Sequence, residues 1–109
     1  MSGDAEVLAE VERIVERGGE ADDVLRDVLA ALHAAGIAYA AIRFVEQGAL
    51  VDGPAVGTAQ QAAVVPVDYR NDKVGELELA ADVTFAERVA AHIAPFVLVG
   101  WDTGGEPWV

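Results

Sequence analysis

Apolar residues recur at three- and four-residue spacing over the first third of the chain, which predicts two amphipathic helices. From Asp4 to Arg17 the apolar positions are Val7, Leu8, Val11, Ile14 and Val15, while Glu6, Glu10, Glu12 and Glu16 take the wet side. Gly18-Gly19 ends this helix, because glycine readily adopts the left-handed conformation at a helix C-terminus. The second helix runs from about Asp22 to Ala35 on the stripe Val24, Leu25, Val28, Leu29 and Leu32. Asp22 and Asp23 favour its start, and Gly36 stands where its C-terminal cap belongs.

At Ala38 the period drops to two. Ala38, Ala40, Ile42 and Phe44 alternate with Tyr39, Ala41, Arg43 and Val45, as in a strand to Glu46 with one apolar face. Gln47-Gly48 is a tight turn into a short strand over Ala49–Asp52. Gly53-Pro54 reads as the end of that strand, and Gly53 to Gln61 as a loop with at most one weak edge strand. Ala62 to Tyr69 and Val74 to Ala80 form a hairpin around Arg70-Asn71-Asp72-Lys73. In it Leu77 and Leu79 face inward and Glu76 and Glu78 outward, while Pro66, which cannot donate to a ladder, needs an edge or a bulge. Thr84 and Glu87 have capping-box spacing before a last helix with the stripe Phe85, Val89, Ile93 and Phe96. Pro95 predicts a kink or break, Gly100 an end, and Trp101 to Val109 an irregular tail.

Helix–helix–hairpin–hairpin–helix is an α+β order, with a central antiparallel sheet and helices packed on one face. The 109 residues have room for one domain, with the N-terminal helix (1–19) and the tail (101–109) as its appendages. Zero cysteines exclude disulfides, thiolate nucleophiles and cysteine-bound metals, and no apolar run approaches bilayer length, so a cytoplasmic protein is expected. A net charge of −12 disfavours nucleic acid and anionic membranes as partners.

The segment Val64-Val65-Pro66-Val67-Asp68-Tyr69, the polar turn, and then Val74-Gly75-Glu76-Leu77-Glu78-Leu79 leading into a helix at Thr84 resembles the late strands of a GAF domain. The resemblance covers about Glu20 to Gly100. It implies that the first and last strands are neighbours, and that the sheet face opposite the helices is where such domains hold a small molecule. Gly53 to Gln61 is short for the roof that closes that pocket in the family. The cysteines of the family's sulfoxide reductases and of its best-known bilin binders are absent, and Asn71-Asp72-Lys73 is not its cyclic-nucleotide signature. No catalytic residue, metal site or cofactor carries over, and a non-enzyme is expected.

The open face would gather Tyr39, Arg43, Asp68, Glu76 and Glu78. They read either as a polar ligand site, with Arg43 gripping an anion beside the Tyr39 ring, or as a wet face with cross-strand ion pairs. His33 and His92 lack a second ligand at i+4 and read as structural. Tryptophans at 101 and 108 either cover the core or anchor a partner. Two functions follow. One is a sensory or regulatory domain for a small molecule. The other is a homodimeric interaction module without a pocket, using Val7, Val11, Ile14 and Trp108 at its interface.

Overall fold

Short backbone signals set the frame. The computed structural model describes the backbone of residues 2–104 and the side chains of residues 4–98. Helix α1 (Ser2–Arg17) ends where the Gly18 amide bonds back to Ile14 and Val15, at a positive φ of 70°. Helix α2 (Ala21–Ala34) closes in a Schellman arrangement: the Ile37 amide donates to the Leu32 carbonyl, the Gly36 amide to the His33 carbonyl, and Gly36 has φ of 107°. Both strand pairs turn on two residues of positive φ, as type I′ hairpins require. Gln47-Gly48 joins β1 (Tyr39–Glu46) to β2 (Ala49–Gly57), and Arg70-Asn71 joins β3 (Ala63–Tyr69) to β4 (Asp72–Leu79). Asp72 and Lys73, expected in the turn, are already strand residues.

The four strands form one antiparallel sheet in the order β2-β1-β4-β3. Registers align Ala40 with Leu79 and Ala63, Ile42 with Leu77 and Val65, and Phe44 with Gly75 and Val67. These three rows face the helices. Helix α2 packs on β1 and β2, and α3 (Val83–Gly104) packs on β3, β4 and β1. Helix α1 lies over α2 and α3 as a further layer, with Val11 and Ile14 buried between them. The core is wholly apolar among the described residues, with Leu25, Leu29, Leu32, Ile42, Leu77, Leu79 and Ile93 as the largest of its fully buried side chains.

Three sequence expectations are corrected. Strand β2 does not stop at Asp52. It runs through Gly53-Pro54, which together oppose Ile42 alone, so the pair forms a β-bulge between Arg43↔Asp52 and Ala41↔Ala55. The strand tolerates the proline because it lies at the sheet edge. Pro66 likewise sits on an edge strand, one residue from the bulge between Val67 and Asp68.

The last helix is capped by Asp82 rather than by Thr84 and Glu87. The Phe85 amide donates to Asp82 Oδ2 at 3.3 Å and the Ala86 amide to the Asp82 carbonyl at 3.0 Å, so the helix begins before Thr84 can cap it. Finally, α3 continues past both Pro95 and Gly100 to Gly104. Its sheet-facing side (Val89, Ile93, Val97) is fully buried, and that packing outweighs one lost backbone bond. The tail expected to be irregular from Trp101 is therefore helical to Gly104. The Trp101 side chain and all of Trp108 lie outside the described residues.

Candidate functional site

No described residue covers the sheet face turned away from the helices, and the same registers build it. One row across the strands is Ala55, Ala41, Glu78 and Val64; the next is Asp52, Arg43, Glu76 and Pro66. Arg43 is the hub. Its Nη2 lies 2.9 Å from Glu78 Oε1 and its Nε 3.3 Å from Asp52 Oδ1. The Tyr39 hydroxyl donates toward the same Glu78 oxygen at 3.4 Å, a long contact. Directly opposite Arg43 stands Glu76, but that carboxylate is taken by Lys73 Nζ at 2.8 Å. Arg43 thus pairs diagonally instead of straight across, within the reach of a long side chain on adjacent strands.

The hydrogen bond that Arg43 donates to Glu78, followed by the Glu78 charge and by the hydrogen bond to Asp52 and its charge, raises the Arg43 pKa above the ordinary guanidinium value, against an opposing desolvation. A raised cation pKa contributes stability that is complete below the unfolded-state value and lost only as pH climbs through the folded one. The ion pair is therefore constant across the physiological range. With 29% of the Arg43 side chain exposed and 92% of Asp52, the cluster is screened, and each pair contributes about 0.2–1 kcal/mol.

Of the five predicted site residues, the structure joins Tyr39, Arg43 and Glu78 in direct contact and puts Glu76 beside them. Asp68 is apart: it pairs with Lys73 on the far side of β4, at the edge of the sheet. Asp52 was missed, since reading Gly53-Pro54 as a strand end hid the register that sets it next to Arg43. Exposed apolar side chains flank the charged rows, with Val64 at 51% and Leu50 at 43% exposure. A depression of about 210 Å³, lined by Tyr39, Ala41, Arg43, Asp52 and Ala55 among others, is the relief on this face.

The predicted interface positions lie elsewhere. Val11 and Ile14 are enclosed by the chain's own helices, and Val7 is partly buried against the same core. Among the histidines, His33 Nδ1 is 2.9 Å from the Ile37 carbonyl at the α2 terminus. His92 Nε2 faces Glu12 Oε2 of α1 at 3.5 Å. Among the described residues, no three His, Asp or Glu converge as metal ligands would, and no helix is long and apolar enough to cross a membrane.

No family model, curated protein or solved structure matches this chain.

Proposed function

We propose that this chain is a GAF-like regulatory domain without chemistry of its own, and that it acts by docking a basic, partly apolar protein surface on its open sheet face. The observation that carries this reading is the face itself, which no described residue covers and whose charged rows are bordered by Val64 and Leu50. Its depression of about 210 Å³ is smaller than the roughly 300–1,000 Å³ of ordinary small-molecule pockets, which favours a broad partner over a small ligand. Both cations on the face, Arg43 and Lys73, already hold carboxylates, and Asp68 adds a further negative charge, so a cationic partner suits it better than an anion.

Titrating the isotope-labelled protein with a short amphipathic lysine–leucine peptide tests this by amide NMR. Shifts should concentrate on Ala41, Arg43, Val64, Glu76 and Glu78, and fall as salt rises. Shifts confined to the acidic face of α1, around Glu6, Glu10 and Glu16, would contradict the reading. Light scattering on the protein alone should report one chain. A twofold mass whose contacts map to the sheet face would make the partner a second copy.

A further inference from the structure

A second concave surface lies on the other side of the sheet, between α2 and the edge strand β2. It is a cleft of about 510 Å³, within the size range of small-molecule sites. Its floor is apolar. Leu29 is buried, and Phe44 and Val56 pack against the core with part of their surface open. The outer wall is the Gly53–Pro54 bulge with Ala55. Gly53 is fixed by sterics, since a Cβ there would sit 2.4 Å from Phe44 Cε2 and 2.8 Å from the Ile42 carbonyl oxygen. The bulge therefore keeps the Phe44 ring directly against the strand that borders the cleft. Such bulges recur where a strand is re-aimed beside a binding site.

The rim is charged with both signs. Asp22 and Arg26 line the cleft from consecutive turns of α2, four residues apart and so on the same face of the helix. Neither belongs to any ion pair among the described residues, a condition that Arg26 shares with Arg70 and Arg88.

We propose that the α2–β2 cleft binds a small zwitterion with an apolar body, of the class of a hydrophobic amino acid. Arg26 receives its carboxylate, Asp22 its ammonium group, and Phe44, Pro54 and Val56 its side chain. One charge alone would leave one rim group unanswered, and a fully apolar ligand would leave both. Because the rim is solvated, binding is in the millimolar range, suited to reporting a metabolite pool. Gly53 and Ala55 line both this cleft and the depression beside Arg43, so an occupied cleft adjoins the docking face through a single strand. The cleft does not depend on what that face docks.

The test is an amide NMR titration of the full chain with L-phenylalanine, compared with hydrocinnamate, which keeps only the acid, and phenethylamine, which keeps only the amine. L-phenylalanine should shift the amides of Asp22, Arg26, Phe44, Gly53 and Val56, and each half-ligand should bind about tenfold more weakly or worse. Arg26→Gln and Asp22→Asn should each weaken binding by about tenfold. Arg26→Gln should leave the melting temperature in place, and Asp22→Asn should lower it by only a few degrees, since it removes one charge from the first turn of α2. The proposal is overturned if L-phenylalanine leaves those amides unmoved. It is equally overturned if hydrocinnamate or phenethylamine binds as well as the zwitterion, or if both variants bind like the parent.

Discussion

Gly75→Ala is expected to destabilise the domain by about 3 kcal/mol or more, lowering the melting temperature by over about 10 °C. Gly75 lies in β4, one of the two inner strands, and a Cβ added there would fall 2.2 Å from the Arg43 carbonyl oxygen and 2.9 Å from Val97 Cγ1. The first contact is with backbone, so strands β1 and β4 must separate to relieve it. The second is with α3, which makes a close approach to the sheet at this point. For a domain whose whole stability is of the order of 5–15 kcal/mol, the loss is a large fraction. Gly48→Ala is the control. Its φ is 82° but nothing lies within 4 Å of the added carbon, so only backbone strain of about 1–2 kcal/mol remains. Thermal melts of the two variants should differ clearly, and equal melts would mean that α3 does not press on Gly75.

The second large effect is Leu77→Ala, with an expected cost of about 2–5 kcal/mol. Leu77 is fully buried in the central row with Ile42 and Val65, where no neighbour can collapse into the space without moving a strand or a helix. Val64→Ala, on the opposite side of the sheet and half exposed, should change stability by only about 0.5 kcal/mol. Urea unfolding compares them directly. The Leu77 variant should shift the midpoint strongly at nearly constant slope, and the Val64 variant should barely move it. A Val64 cost equal to that of Leu77 would mean that the sheet is covered on both sides.

How far the fold could be read from the chain depended on where periodicity was strong. The stripes of α1 and α2 and the alternation from Ala38 to Glu46 and from Val74 to Leu79 each select a single period, and they place those elements within a few residues. Proline and glycine misled where tertiary context decided the outcome. Gly53-Pro54 punctuates a strand in isolation but forms a bulge on an edge strand, where the missing amide is tolerated. Gly100 would end an isolated helix and Pro95 would kink or break one, yet α3 continues unbroken because its inner face is anchored on the sheet. The cap passed from Thr84 to Asp82, two residues earlier, since both residue types cap well and only the observed turn chooses between them.

The candidate site shows the same division. Alternation alone puts Tyr39 and Arg43 on one face and Glu76 and Glu78 on another strand's matching face. Register is different, because it rests on pairings distant in sequence. Nothing local says that Arg43 stands opposite Glu76 yet bonds to Glu78, or that the bulge delivers Asp52 to its other side. The apolar stripe on α1 was legible, but its destination was not. A stripe meant for a partner and one meant for the chain's own helices look the same in sequence, and Val11 and Ile14 are held within this chain.

Strands β1 to β4 form one sheet with helices on a single side and, on the other, a face that no described residue covers. The chain contains no cysteine, so single cysteines introduced along β3 report on it without background. Val64→Cys should react with a thiol reagent at least about a hundredfold faster than Val65→Cys in the folded protein, because the second thiol is exposed only by unfolding. Comparable rates at the two neighbouring positions would contradict the one-sided sheet and, with it, the docking role proposed for the face around Arg43.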